Sequence, residues 1–133
     1  MSNVKLSIII VTFNSSRYIK DCLNSIEQFC DSISYEILIS DNHSADDTIN
    51  IAKEFKRVKI LQNKENLGFA KANNLAVHRA MGEYILLLNH DTILLDNLHP
   101  LLDLVHHHVN VGAIGIKMLD GNRGKTAKLN MKT

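Results

Sequence analysis

The sequence predicts an α/β fold: a mostly parallel sheet with helices on both faces. Three observations carry this expectation. Short β-branched apolar runs recur along the chain, and segments with helical apolar spacing separate them. The strongest run, Ile8-Ile9-Ile10-Val11, shows no polar alternation. Such a pattern suits a strand covered on both sides, and strands that alternate with helices favour parallel pairing through helical crossovers.

The first strand is expected over Leu6 to Val11. Ile19, Cys22, Leu23, Ile26 and Phe29 or Cys30 then recur at helical spacing, which predicts a helix of about four turns capped by Ser15 or Ser16. Tyr35 to Ser40 gives a second strand, and Ser44 with Asp47 has the spacing of a capping box ahead of Ile49, Ala52 and Phe55. Val58 to Leu61 makes a third strand, followed by a helix through Ala72, Leu75, Ala76 and Ala80 that Gly82 ends. Tyr84 to Leu88 is the fourth strand, Asn97 caps a helix past Leu101, Leu102 and Val105, and Val111 to Met118 reads as a fifth strand. The polar, basic segment from Asp120 to Thr133 is expected to be a flexible tail, which leaves residues 1–119 as the folded domain.

The chain has 133 residues, enough for one domain with one core. Fifteen Lys+Arg against 14 Asp+Glu leave a net charge of +1, too small a basic field to favour nucleic acid as a partner. No apolar run approaches the roughly 20 residues of a membrane helix, and the N-terminus has no secretory pattern, so a cytoplasmic location is expected. If the segment around Cys22 and Cys30 is helical, eight residues at about 1.5 Å each separate them by roughly 12 Å, beyond disulfide reach. Both are expected as reduced core thiols.

Ligands of open parallel sheets bind outside the carboxyl ends of the strands, and three such ends are polar here. They are Thr12-Phe13-Asn14-Ser15, Asp41-Asn42-His43-Ser44 and Asn89-His90-Asp91-Thr92. No G-x-G-x-x-G follows the first strand, which removes a dinucleotide-binding Rossmann domain. Gly121, Gly124, Lys125 and Thr126 imitate a P-loop, but Leu119 stands where its first glycine belongs. A sugar nucleotidyltransferase would want Gly and Arg after the first strand, where Thr-Phe-Asn-Ser-Ser stands instead.

What remains is a site that holds a nucleoside with short polar side chains and neutralises a diphosphate with a metal. Asp91, with Asn89 and Thr92 beside it, offers the hard oxygen ligands that Mg²⁺ or Mn²⁺ prefers, although Asp and Asn also form turns after strands. Asp41 could accept from the imide N–H of a uracil or thymine, or brace the turn before the next helix. Asn14 could touch a nucleotide or cap the first helix. In Asn66-Leu67-Gly68-Phe69, backbone N–H groups and a glycine would let a diphosphate approach, or the glycine serves a tight turn. His106, His107 and His108 cannot converge on one ion from consecutive helical positions, and read as a solvated face.

Taken in order, these motifs resemble family 2 glycosyltransferases of the GT-A fold. Ser7-Ile-Ile-Ile-Val-Thr-Phe-Asn14 looks like the family's opening strand, and Ile39-Ser-Asp-Asn-His-Ser-Ala-Asp-Asp-Thr48 like its acidic turn. Asn66-Leu-Gly-Phe-Ala-Lys-Ala-Asn-Asn74 and Leu86-Leu-Leu-Asn-His-Asp-Thr92 are similar to the branch of rhamnosyl- and galactofuranosyl-transferases. The resemblance covers residues 4 to about 119. It implies a Rossmann-like nucleotide-binding half in which Thr12 and Asn14 line the nucleoside pocket, Asp41 faces the base, and Asn42 or Ser44 assists. Asn66, Gly68 and Asn74 would shape the other wall. Asp91 corresponds to the last carboxylate of the family's D-x-D motif and would hold a divalent metal, while Asn89 replaces the first Asp and lowers the local negative charge by one. His43 and Ala76 stand where the family often carries Gly.

The resemblance implies an inverting, metal-dependent transferase that moves a sugar from a UDP- or dTDP-linked donor to a glycan or other hydroxyl acceptor. In the family the catalytic base and the acceptor site come later in the domain, so no residue of this chain is expected as the base. The rival expectation is a truncated module that binds a nucleotide, or nothing, and transfers no sugar. Apolar surface along the last strand leads to the further expectation of a homodimer. A membrane-associated assembly is not readable from the residues.

Overall fold

The structure is a computed structural model that describes residues 3–119. Four strands, β1 (Leu6–Thr12), β2 (Tyr35–Asp41), β3 (Val58–Gln62) and β4 (Tyr84–Leu87), alternate with four helices, α1 (Ile19–Phe29), α2 (Thr48–Lys53), α3 (Phe69–Val77) and α4 (His99–His107). All three strand pairings are parallel, and the sheet order is β3-β2-β1-β4. The chain therefore steps outward from β1 through β2 to β3, then returns to the other side of β1. A topological switch point lies between β1 and β4, where open α/β sheets form their ligand crevice.

The central strands β1 and β2 divide their side chains between two cores. Leu6, Ile8 and Ile10 join Tyr35, Ile37 and Ile39 in the larger one, under Ile19, Cys22, Leu23 and Ile26 of α1, Ala52 of α2, and Leu101 and Leu102 of α4. Ile9 and Leu38 face the other way and pack with Ala76 of α3. The unbroken Ile8-Ile9-Ile10 run is fully buried because both faces of β1 are covered. Cys22 and Cys30 are buried free thiols, as their spacing predicts.

At the opposite, amino-terminal end of the sheet, the buried carboxylate of Glu36 gathers β1, β3 and the α3–β4 connection. Its Oε1 accepts from the Ser7 hydroxyl at 2.7 Å and the Met81 N–H at 2.7 Å, and its Oε2 accepts from Lys59 Nζ at 2.8 Å. Burial alone would raise the Glu36 pKa, but the hydrogen bonds from Lys59, Met81 and Ser7 outweigh it and lower the value.

Several local expectations are corrected. Val111 to Met118 is not a strand: Gly112 and Gly115 weaken its strand propensity, and Val111 and Ile114 stay exposed without pairing to β4. The first helix has 11 residues, about three turns, and starts at Ile19. A turn on the Ser15 carbonyl precedes it, and the Ser15 hydroxyl accepts instead from the Phe13 N–H at 3.1 Å. No capping box forms at α2, because the Ser44 hydroxyl turns back to Asp41 and Asp46 accepts from the Thr48 N–H at 3.1 Å. Asn97 does serve the start of α4, accepting from the His99 N–H at 2.7 Å, although helical geometry begins after Leu98.

Gly82 does not end α3, which stops at Val77. Its N–H donates to Ser7 Oγ at 2.8 Å, and a Cβ there would lie 2.8 Å from the Leu6 carbonyl carbon and closer still to the Ser7 amide nitrogen. Close backbone approach to β1 is what requires the glycine. The segment from Asp120 to Thr133, with the expected tail and the rejected P-loop imitation, lies outside the described residues. Among the described residues no helix is long and apolar enough to cross a membrane.

Candidate functional site

Thr12 and Asp41 end neighbouring strands in register. The Thr12 hydroxyl donates to Asp41 Oδ1 at 2.6 Å, the Ser44 hydroxyl donates to the same oxygen at 2.6 Å, and the Ser44 N–H donates to Oδ2 at 2.9 Å. Asp41 is only 2% exposed, so these donors replace its hydration. Of the roughly four lone-pair positions of a carboxylate, one on Oδ2 remains. Asn14 completes the cluster: its N–H donates to Ser44 Oγ at 2.9 Å and its Oδ1 accepts from the Ala45 N–H at 2.8 Å. Four of the expected residues, Thr12, Asn14, Asp41 and Ser44, thus form one connected network.

Two non-glycine residues here have left-handed backbones, Asn14 at φ 48° and His43 at φ 65°. Asparagine tolerates this region through local hydrogen bonds, and histidine does so less readily. The conformation of His43 explains why glycine suits that position.

Asn42 joins this cluster to the next loop. Its Nδ2 donates to the Gly68 carbonyl at 3.2 Å, and its Oδ1 accepts from Asn63 Nδ2 at 3.0 Å and from the Leu67 N–H at 3.2 Å. Asn66 Oδ1 accepts from the Gly68 N–H at 2.9 Å, and Gly68, at φ 76°, turns the chain into α3. Asn63 was missed at the sequence level. Its side chain also donates to Ser40 Oγ at 3.1 Å, and the signal was its place as the polar residue that directly follows β3.

An open cleft of about 440 Å³ lies at the switch point. Asn42, Asn66 and Gly68 line one side, Asn89, His90 and Asp91 the other, with Val11 and Phe13 between them. Residues expected for the nucleotide and residues expected for the metal therefore share one cleft, while Thr12 and Asp41 brace it from beneath. Phe13 and Phe69, which stand in the sequence motifs without a role of their own, line it as exposed rings. Asn74 is exposed on α3, and no side-chain hydrogen bond ties it to the other candidates. A second cleft of about 180 Å³, near Lys5, Ser34, His99 and Asp103, sits at the other end of the sheet.

The donor set tests the metal expectation. Among the described residues no three His, Cys, Asp or Glu side chains converge to hold an ion. Asp91 is exposed and its carboxylate accepts no hydrogen bond from the described residues, while Asn89 is exposed beside it. One carboxylate with neighbouring amide oxygen fits a Mg²⁺ or Mn²⁺ that takes its other ligands from phosphates and water, and does not fit an all-protein cage. Beneath the loop, burial first and the Asp91 charge second push the Cys22 thiol up to about 12.

A parallel α/β sheet with a polar cleft at its switch point defines the class of open α/β folds that take ligands at the carboxyl ends of their strands. The family model for Glycosyl transferase family 2 matches residues 7–132, and the chain belongs to that family. It is 31% identical over 127 residues to the poly(ribitol-phosphate) beta-N-acetylglucosaminyltransferase TarS of Staphylococcus aureus (strain Mu50 / ATCC 700699), covering 89% of this chain and 22% of that protein. Glycosyltransferase GlyG of Streptococcus pneumoniae serotype 4 is 30% identical over 98 residues, 70% of this chain and 32% of that protein. The crystal structure of S. aureus TarS 1-349 in complex with UDP-GlcNAc superposes with a TM-score of 0.67 at 30% identity, covering 77% of this chain and 30% of that one. A mannosyltransferase, PcManGT from Pyrobaculum calidifontis, in complex with GDP-Man and Mn²⁺, shares the fold with a TM-score of 0.69 at 20% identity, over 87% of this chain and 35% of that one. The chain thus spans about a fifth to a third of these relatives' lengths.

Proposed function

We propose that residues 1–119 form the nucleotide-sugar-binding half of an inverting, metal-dependent glycosyltransferase. The observation that carries this reading is the shared cleft, where Asn42, Asn66 and Gly68 face Asn89 and Asp91 across the switch point. Family membership and the UDP-GlcNAc complex of the TarS relative support a uridine diphosphate sugar as donor, with a dTDP sugar as the alternative.

In this reading Asp41 presents its remaining Oδ2 acceptor to the imide N–H of the base, held in place by Thr12 and Ser44. Asn14 keeps the turn between them in shape, and Asn42 with Asn66 holds the Gly68 loop where backbone N–H groups meet the diphosphate. Phe13 and Phe69 offer apolar faces to the nucleoside. Asn74 belongs to the outer wall of the donor pocket. Asp91, assisted by Asn89, would hold Mg²⁺ or Mn²⁺, which supplies charge neutralisation for the leaving diphosphate. The acceptor hydroxyl oxygen forms the new bond to the anomeric carbon as the bond to the diphosphate breaks. The diphosphate leaves with the bonding electrons, and the hydroxyl proton passes to a general base.

A glycan acceptor and a cytoplasmic or membrane-associated setting belong to the whole enzyme. The last strand, through which a homodimer was expected, is not formed, and the edge strand β4, whose Ile85 and Leu87 are 42% and 53% exposed, would carry such a dimer instead. Light scattering showing a monomer at high concentration would remove the dimer.

Titration of the chain with UDP and dTDP, with and without Mn²⁺, tests the donor site. Binding strengthened by Mn²⁺ is expected. No binding of either nucleotide in the presence of metal overturns the reading and leaves an inert module.

A further inference from the structure

Asp91 sits on a connection that α1 grips at both ends. At the start, the Asn89 carbonyl accepts from the Thr92 N–H at 3.1 Å and from the Cys22 thiol at 3.8 Å. At the far end, the Leu94 N–H donates to Ser25 Oγ at 3.0 Å, and that hydroxyl in turn donates to the Cys22 carbonyl at 2.7 Å. Cys22 and Ser25 are three residues apart, on one face of the helix. One turn before them, Tyr18 meets the His90 ring with centroids 6.2 Å apart. Tyr18, Cys22 and Ser25 stand at i, i+4 and i+7, so a single stripe of α1 and its N-cap residue touches the connection at His90, Asn89 and Leu94.

We propose that this stripe is a positioning element: it fixes the Asn89–Leu94 connection at both ends and so sets where Asp91 stands across the cleft from Asn42 and Gly68. The inference rests on the donor-site reading above. None of the three side chains lines the cleft, so they act through the connection and not on a ligand. The carboxylate of Asp91 accepts no hydrogen bond from the described residues, and among them its position depends on the backbone that carries it. Ser25 is the strongest of the three holds, since its hydroxyl is buried and both donates and accepts. The thiol bond is weaker, as S–H donors generally are.

Thr12, Asp41 and Asn42 are held by separate bonds at the ends of β1 and β2, in none of which Tyr18, Cys22 or Ser25 takes part. Loosening the stripe should then weaken the metal-dependent part of nucleotide binding and spare the metal-independent part. Supporting contacts behind metal ligands commonly change metal affinity by about 10- to 100-fold.

The test compares the full chain with Ser25→Ala and with Tyr18→Ala. The latter alters a half-exposed ring and leaves the core intact. UDP affinity is measured with and without Mn²⁺, and hydrogen exchange is followed at the Leu94 amide. Ser25→Ala should lower the Mn²⁺-induced gain in UDP affinity by roughly tenfold. It should leave metal-free UDP binding unchanged and speed exchange at Leu94. Tyr18→Ala should lower the gain in the same direction. An unaltered Mn²⁺ gain in both variants, or an equal loss of affinity with and without Mn²⁺, overturns the positioning role. Failure of the unaltered chain to bind UDP or dTDP overturns the donor-site reading itself, and this inference with it.

Discussion

The Thr12 hydroxyl donates to Asp41 Oδ1 across the β1–β2 pair at 2.6 Å, inside a cluster where Ser44 supplies two further donors to the same carboxylate. The pair makes the floor of the site rigid before any ligand arrives. Asp41→Ala leaves two hydroxyls and one N–H in search of partners in a buried place. The expected cost is about 3 kcal/mol, since each lost bond to a charged group is worth about 1.5–3 kcal/mol and part is recovered by water. Urea unfolding monitored by circular dichroism measures it, and a loss under about 0.5 kcal/mol, the level of an ordinary surface change, would contradict the network.

Gly82→Ala should destabilise the fold by about 2 kcal/mol or more, because its Cβ would meet the backbone of Ser7 and Leu6 as well as the Ser7 hydroxyl, and the backbone of a central strand cannot yield as a side chain can. Thermal unfolding provides the check. An unchanged midpoint would mean that the α3–β4 connection does not press on β1 as described.

Glu36→Ala removes the shared acceptor of Ser7, Met81 and Lys59. The Ser7 hydroxyl and the Met81 N–H lose their acceptor in a buried place, at a cost of about 1–3 kcal/mol, whereas Lys59, 53% exposed, turns to water. Glu36→Gln, which keeps the shape and one acceptor oxygen, should lose less. Equal stability of Glu36→Ala and the unaltered protein in urea would contradict the network.

Asp46 predicts an acid limb. Burial works to raise its pKa, but hydrogen bonds from Thr48 and Ser16 prevail and bring it from 3.8 down to about 2. A folded pKa below the unfolded one means that this group favours the folded state fully above the unfolded value, and that the contribution is lost as pH falls from about 4 towards 2. Asp46→Asn should flatten the dependence of stability on pH within that window. Parallel pH profiles for the two proteins would contradict the assignment.

Much of the fold was legible because it depends on local apolar pattern. The Ile8-Ile9-Ile10 run, the spacing of Ile19, Cys22, Leu23 and Ile26, and the polar strand ends all read directly from residue order. The misreadings arise where the partner a group takes, near or distant in sequence, or the lack of one, is not revealed by spacing. Ser44 has the spacing of a cap, yet its hydroxyl goes to the buried Asp41. Gly82 looks like a helix stop, yet its constraint is the backbone of β1, 75 residues earlier. Asn63 carries no motif, but it connects Ser40 and Asn42. Val111 to Met118 has strand-like composition, but Gly112 and Gly115 interrupt it and no neighbouring strand receives it. In the site, the sequence located the strand ends, whereas the division into a braced Asp41 cluster and an open Asn42–Asp91 cleft needed the three-dimensional register.

The most direct measurement is a paramagnetic map of the chain with UDP and substoichiometric Mn²⁺, read as loss of amide signal in NMR spectra. The account predicts that Asn89, His90 and Asp91 lose intensity first, Gly68 and Asn42 next, and that Asp91→Ala abolishes the pattern. Broadening centred on the Lys5–His99 cleft, or an Asp91→Ala spectrum that broadens as before, would contradict it.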